Sequence, residues 1–518
     1  MPIRPDQLPQ DPAELARLVI DLTAQVDKLT ALLGGLRTLI FASRSERLCA
    51  LSKDQMALDL GDLAAVMPAA EANDNGPPDQ HRQKQRRGRE ARRNIGALPA
   101  HLPRVEEVIE PAVKTCPCCG GALHRIGEDV REALGVVPAS YCVKRRIFPK
   151  YVCRACVEGV VQAKAPARIV EGGMVENELV AQIAVAKFAR HLPVHRQVQM
   201  MAAQGIVIDR TTPCLWLKRL AWWLRPLYDR QLEITHAQAR IFCDETPLPV
   251  LDPGRRRTKR GQFWAHAMDD RPWGGPAPPA VTYVYAASRS ARELARQLAA
   301  FDGILQVDGY RAYKTHARTA ERRVALAFCF AHARRKFVEA HKITGSPFAA
   351  EVIDRLADVY GIEARIRGRS AQERRAVRQA QTRPILERLE ADMKAVLGEI
   401  SRQSKLAQAC RYTLEHWTGL TRFLADGRIE IDSNIVERNI RPISLGRKNH
   451  LFAGSEGGAQ TWAILASLIN TAKLNGIDPQ TWLLDVVERI VSGRTPINRI
   501  DELLASNWKP AGAAVAAA

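Results

Sequence analysis

The sequence predicts a multidomain α/β protein, and three observations predict it. Short apolar strands alternate with helical stretches after Gln238, two Cys-x-x-Cys pairs stand ahead of them, and a leucine-spaced helix opens the chain. With 518 residues, 46% apolar and 25% charged, the chain is long enough for several packed cores. Lys and Arg number 76 against 56 Asp and Glu, a net charge of +20. That surplus favours a polyanionic partner such as DNA. The opening Met1-Pro-Ile-Arg-Pro-Asp6 has no apolar export signal, and the best apolar run, Trp462 to Ile469, is far below the roughly 20 residues that span a bilayer. A cytoplasmic protein without a membrane partner is expected.

In residues 1–60, Leu15, Leu22, Leu29 and Leu36 stand seven apart, and Val19, Val26, Leu33 and Ile40 follow each by four. These are the d and a positions of a coiled-coil-like helix able to pair two chains. Gly34-Gly35 and the extra Leu18, Leu32 and Leu39 keep packing against the protein's own body as an alternative. Residues 61–103 lose periodicity and end in a run of arginines, a basic linker that is either a solvated spacer or an arm on phosphates.

Residues 104–165 predict a zinc ribbon. Cys116-Pro-Cys-Cys119-Gly-Gly and Cys153-Arg-Ala-Cys156 offer two knuckles, so Cys116, Cys119, Cys153 and Cys156 are expected to hold one structural Zn²⁺, with Cys118 and Cys142 as spare thiols. Residues 166–237 read as helices over Asn177–Arg190, Val194–Gln204 and Thr211–Leu224, with a turn at Gly205. This resembles a helix-turn-helix corner, which would place Arg210, Thr211, Thr212 and Lys218 on or beside a DNA-recognition helix.

Strands are predicted over Arg240–Cys243, Phe263–Met268 and Val281–Ala286, with the basic turn Arg255–Arg260 between the first two. A helix Ser290–Ala300, a strand Ile304–Val307, a short helix Tyr310–His316, a strand Val324–Cys329 and a helix Ala331–His341 complete the order βββαβαβα. That order is the ribonuclease-H-like layout, a mixed sheet covered by helices. Asp244 and Asp308 stand where apolar strands end. Either alone reads as a turn former. Together they lie on neighbouring strands of such a sheet, and with a third acid they could hold two divalent ions about 4 Å apart over a phosphodiester. Cys329-x-x-His332 could also bind a metal, but it needs two more ligands and Cys243 is the only other nearby thiol, so the pair is expected to belong to the core.

Further motifs carry a family resemblance. Asn434-Ile-Val-Glu437-Arg-Asn-Ile-Arg-Pro442, Gly446-Arg-Lys-Asn449 and Leu451-Phe-Ala-Gly-Ser455 occur with Cys116-Pro-x-Cys-Gly, Asp244-Glu-Thr-Pro247, Asp308-Gly-Tyr310, Cys329-x-Ala-His-Ala-Arg-Arg-Lys-Phe337 and Thr471-Ala-Lys-Leu-Asn-Gly476. In this order they resemble the insertion-sequence-66 transposase family over nearly the whole chain. The resemblance implies a transposase with Asp244, Asp308 and Glu437 as its acidic triad, holding two Mg²⁺, with Mn²⁺ as the alternative ion. Glu437 would follow a helical insertion at about 345–428 within a catalytic domain 238–450, ahead of a C-terminal helical region 451–518. The competing acids are Glu245, Glu430 and Asp432. Arg334, Arg335, Lys336, Arg441, Arg447 and Lys448 are expected as phosphate contacts or solvated charges.

The implied activity is metal-dependent DNA cleavage at terminal inverted repeats and strand transfer into target DNA. A homo-oligomer in the bacterial cytoplasm, associated with the nucleoid, would carry it out, with small companion proteins of the same element as further partners. The alternative is a catalytically inactive DNA-binding regulator derived from a transposase.

Overall fold

The structure is a computed structural model that describes residues 139–152, 160–255 and 257–510, with isolated positions between 103 and 134 and Asp11. The heptad helix, most of the basic linker, and Cys116, Cys119, Cys153 and Cys156 lie outside the described residues. The chain divides into two compact units, Lys53–Arg145 and the remainder. Within the first, Arg104 pairs with Glu132 at 3.1 Å.

The first strands described in the second unit form a small antiparallel hairpin, β1 (Lys150–Val152) and β2 (Val160–Gln162), which flanks Cys153 and Cys156 in the chain. Three helices follow: α1 (Asn177–Phe188), α2 (Val194–Ala202) and α3 (Thr211–His236). Gly205 takes the left-handed conformation, φ +81°, in the link between α2 and α3, which glycine enters without a Cβ clash. α3 runs beyond Leu224 because its buried stripe, Leu220, Leu224, Leu227, Tyr228 and Gln231, continues at helical spacing across Pro226. Tertiary packing outweighs the proline there. Tyr228 donates to the Tyr283 carbonyl at 2.7 Å and Gln231 to that of Val281 at 2.9 Å.

A five-stranded mixed sheet occupies the centre. It comprises β3 (Arg240–Asp252), β4 (Arg257–Met268), β5 (Ala280–Ala286), β6 (Gly303–Val307) and β7 (Val324–Phe328), in the order β5-β4-β3-β6-β7. β5, β4 and β3 pair antiparallel, whereas β3, β6 and β7 pair parallel. The connections around β6 are α4 (Ala291–Gln297), before it, and α5 (Arg311–Thr319), after it. Ile241, Trp264, Leu294, Phe301, Leu305 and Tyr313 close a core between the sheet and these helices. Arg257–Arg260 is exposed strand, where the sequence suggested a turn, because β3 and β4 stay paired out to Asp252 and Arg257.

α6 (Phe330–Thr344) leaves β7 and begins a helical layer. This layer contains α7 (Pro347–Ile366), α8 (Ala371–Val377), a π-helical turn Arg378–Thr382, α9 (Arg383–Glu399), α10 (Lys405–Glu415) and α11 (Trp417–Leu420). Phe337, Val352, Leu356, Leu389, Met393 and Phe423 form its core. The chain then returns to the sheet as α12 (Asn434–His450), followed by α13 (Glu456–Leu474) and α14 (Pro479–Val491).

The apolar run Trp462 to Ile469 belongs to α13 and is buried throughout. α13 covers the open edge of β5: the Tyr283 N–H donates to Ser467 Oγ at 2.8 Å and the Val281 N–H to Thr471 Oγ1 at 3.1 Å. A sheet edge that would otherwise expose its backbone donors is satisfied by helix hydroxyls. Among the described residues no helix is long and apolar enough to cross a membrane.

Candidate active site

The strand register places the first two acids. β3 and β6 pair in parallel up to Phe242 opposite Gln306, and two residues beyond that pair stand Asp244 and Asp308. There β6 ends, while β3 continues along β4 with Asp244 opposite Ala265. Asp308 Oδ1 accepts the Tyr310 N–H at 2.9 Å, which fixes the turn into α5. Asp244 Oδ1 accepts the Glu245 N–H at 2.8 Å.

Glu437 lies in the first turn of α12, which packs against β3. The Asp244 carboxyl is pushed up to about 8, first by burial and then by the charges of Glu245, Asp308 and Glu437. Asp244 thus feels three neighbouring acids at the end of the parallel ladder, although among the described residues its ligand atoms do not close with those of Asp308 and Glu437 into a group within 4.8 Å. A divalent cation would relieve that mutual repulsion, and oxygen donors of this kind suit Mg²⁺.

The competing acids have other partners. Glu245 takes the opposite side of β3 from Asp244, where it accepts the Tyr313 hydroxyl at 2.7 Å and Arg289 Nε at 2.6 Å. Burial raises its carboxyl, against the lowering effect of Tyr313 and Arg289. Burial would also raise Glu430, but Arg374, Arg240 and Arg367 hold it below the ordinary range, and Arg374 Nη2 approaches it at 2.6 Å. Asp432 accepts the Asn434 N–H at 3.1 Å and its side-chain amide at 2.9 Å. Burial lifts Asp432 to about 6.

The predicted cations are distributed unevenly. Arg335, Lys336, Arg441 and Lys448 are exposed. Arg334 is buried, so it is no surface phosphate contact as it stands. Arg447 is turned inward, donating to Thr246 Oγ1 at 3.1 Å and to the Pro247 carbonyl, and so ties α12 to β3. Arg210 and Lys218 are exposed and Thr212 is half-buried. The Thr211 hydroxyl is engaged by Asp209 at 2.6 Å. Beside Lys218, Arg219 lies 4.5 Å over the exposed Trp222 ring.

Two features escaped the sequence. Arg289 spans from Glu245 to the Tyr310 ring, 3.7 Å from its centroid, and so sets a guanidinium beside the Asp308 turn. Its signal was the Arg289-Ser290 entry into α4, which is indistinguishable from any helix start. Cys329, His332 and Glu437 bring one ligand atom each to within 4.8 Å of one another. The Cys-x-x-His spacing was visible, but the acid completing it comes from a different helix.

Comparison with known proteins agrees with this architecture. The description "Transposase IS66 family" matches residues 172–461, and "IS66 C-terminal element" matches 467–505. "Zinc-finger binding domain of transposase IS66" matches 114–157, which supports a structural zinc in that segment, and "Transposase C of IS166 homeodomain" matches 28–106. The uncharacterized protein y4jD of Sinorhizobium fredii (strain NBRC 101917 / NGR234) is 55% identical over 98% of this chain and 98% of its own length. The uncharacterized protein y4qI of the same strain is 41% identical, covering 96% of this chain and 92% of its own. The chain belongs to the IS66 transposase family.

Proposed function

We propose that the chain is an Asp-Asp-Glu transposase, cutting DNA at terminal inverted repeats and joining the freed end to target DNA. The observation that carries this reading is the register that sets Asp244 and Asp308 two residues beyond the Phe242–Gln306 pair, with Glu437 in the first turn of α12, the helix packed on β3. The strand order β5-β4-β3-β6-β7, with its antiparallel half and its parallel half, supports a ribonuclease-H-like core. Domain limits at 60, 103, 165, 237 and 450, with the insertion at about 345–428, complete the proposed organisation.

Asp244, Asp308 and Glu437 would hold Mg²⁺, or Mn²⁺ in its place. When bound, such ions activate the attacking oxygen and stabilise charge on the transferred phosphoryl group. The chain's own residues position and bind. Arg289, Arg335, Lys336, Arg441 and Lys448 lie on exposed or rim surface able to take phosphates, and Arg210, Thr211, Thr212 and Lys218 would mark a helix-turn-helix contact with the repeat. Cys116, Cys119, Cys153 and Cys156 would hold the structural zinc, and the amino-terminal heptads would join two chains so that both element ends are held at once. The setting is the bacterial cytoplasm and nucleoid, with companion proteins of the element as further partners.

The test is cleavage and strand transfer of a labelled inverted-repeat duplex in Mg²⁺. Asp244→Asn, Asp308→Asn and Glu437→Gln should each lose cleavage by orders of magnitude while retaining DNA affinity, and Asp432→Asn should retain cutting. Wild-type binding without cutting would favour the regulator; triad variants that still cut would remove the triad.

A further inference from the structure

We propose that Cys329, His332 and Glu437 form a mononuclear site for a zinc-class transition metal, with one coordination position left open. The proposal rests on the assignment of Glu437 to the catalytic centre and gives that glutamate a second ion, beside the one it would share with Asp244 and Asp308.

The site is built where two helices begin. Cys329 stands at the N-cap position of α6, His332 follows in its first turn, and Glu437 occupies the first turn of α12. Backbone contacts hold the two starts together: the Phe330 N–H donates to the Ile431 carbonyl at 3.1 Å, and the Ser433 N–H donates to Cys329 Sγ at 3.3 Å. Ser433 Oγ donates to Glu437 Oε1 at 3.4 Å. The Ser433 N–H favours a thiolate, but burial and the charges of Asp432 and Glu437 push the Cys329 thiol up to about 12, so a bound cation would have to supply the charge that ionises it.

Distances separate a metal site from an ordinary ion pair. His332 Nδ1 lies 3.7 Å from Glu437 Oε1, and it is shielded from solvent with no hydrogen-bond partner among the described residues. That is too long for a hydrogen bond. Two ligands of one zinc, each about 2.0–2.1 Å from it and about 109° apart, lie about 3.4 Å from each other, and a thiolate at about 2.3 Å lies about 3.6 Å from either. The observed three-atom group, all within 4.8 Å, needs only a modest contraction to meet this geometry.

The donor set chooses the ion. Sulfur and imidazole select Zn²⁺ or Co²⁺ over Mg²⁺, which prefers all-oxygen octahedra. Three protein ligands with an open fourth position is also the pattern of zinc centres that bind water or substrate. Glu437 would thus stand between an oxygen-rich half at Asp244 and Asp308 and a softer half at Cys329 and His332.

The experiment measures zinc per chain in the full-length protein, saturated with Zn²⁺ and then passed over a weak chelating resin. Wild type should retain two equivalents, one of them in the ribbon. His332→Gln and Cys329→Ser should each retain one, and Cys153→Ser should lose the other. His332 is partly exposed, so its variant is the decisive one and should keep the wild-type circular dichroism. With Co²⁺, the difference spectrum between wild type and His332→Gln should contain a sulfur-to-metal charge-transfer band. Asp244→Asn should keep both equivalents yet not cleave, so the fate of this site and that of the Asp-Asp-Glu reading are measured apart. Two equivalents in His332→Gln, or one in wild type, would overturn the site.

Discussion

Gln306 on β6 and Glu430, just ahead of α12, exchange two buried hydrogen bonds. Gln306 Nε2 donates to the Glu430 carbonyl at 3.0 Å, and the Glu430 N–H donates to Gln306 Oε1 at 2.9 Å. Gln306 stands two residues before Asp308, and Glu430 seven before Glu437. This side chain therefore ties the returning chain directly to the strand that bears the second acid, beside the Phe330–Ile431 and Arg374–Glu430 contacts on the same segment.

Replacing Gln306 by Met keeps the volume but leaves a buried N–H and a buried carbonyl unpaired. At about 1–3 kcal/mol for each of these two unsatisfied groups, the variant should lose about 2–6 kcal/mol of stability. Denaturant unfolding would measure this, and a loss below about 1 kcal/mol would mean that the return segment is held elsewhere. The surviving folded fraction should also cleave more slowly, because Glu437 is then less firmly placed.

This anchor explains what was legible in the sequence. β6 and β7 were readable because each is a short apolar run, and Asp308 because it interrupts one. The sequence pattern ends β3 at Cys243, since the polar and basic residues beyond it conceal a hairpin that holds through backbone pairing. By local rules Pro226 ends α3 near Leu224, while the buried stripe that overrides it is a tertiary signal. Glu430 and Asp432 could only be named as competitors, for nothing local tells which arginine or amide a buried acid will meet. Likewise, Cys329 and His332 lacked a visible third ligand because it stands far downstream.

The buried charge network of the helical layer makes a second prediction. Arg378 is fully buried and donates to Glu363 through Nε at 2.8 Å and Nη2 at 2.6 Å, and to the Phe423 carbonyl at 2.9 Å. Arg378→Met strands part of the Glu363 charge in the interior, so the loss should be about 3–5 kcal/mol. Arg378→Lys should rescue little, because an ammonium cannot reproduce the forked contact. Full recovery by Lys in thermal unfolding would show that only the charge matters.

Acid sensitivity should trace to a histidine pair beneath the sheet. His266 is lowered to about 3 by burial and then by the charge of His236, and burial lowers His236 to about 4. Their rings meet at 3.3 Å, and His266 Nε2 lies 3.0 Å from Gln297 Oε1. Both stay neutral in the fold, whereas the unfolded chain takes up protons below about 6.5. Stability present above that pH is therefore lost as pH falls from 6.5 towards 4, at up to about 1.4 kcal/mol per pH unit for each ring. In His266→Gln the slope should be shallower, so the stability gap to wild type narrows between pH 7 and pH 5. A gap that stays constant with pH would mean the rings do not titrate with unfolding.

The last prediction tests whether the helical layer shapes the acid site. A Cβ on Gly309 would lie 2.7 Å from the Tyr412 hydroxyl and 2.9 Å from His416 Nε2, both presented by the end of α10 and the residue after it. Gly309 is not among the positive-φ glycines, so its backbone accepts alanine and the obstacle is steric alone. In Gly309→Ala either α10 or the Asp308 turn must yield by several tenths of an ångström. Because Asp308 is the neighbouring residue, cleavage should fall about tenfold or more, while DNA affinity, spread over many cations, stays within a few-fold of wild type. Tyr412→Phe removes the nearer obstructing atom, so the double variant Gly309→Ala/Tyr412→Phe should regain part of the lost rate. Wild-type cleavage in Gly309→Ala would mean that α10 moves without cost and leaves the carboxylates where they are. Loss of rate that Tyr412→Phe does not relieve would place the constraint at His416, whose ring meets that of Phe328 edge-on at 4.9 Å.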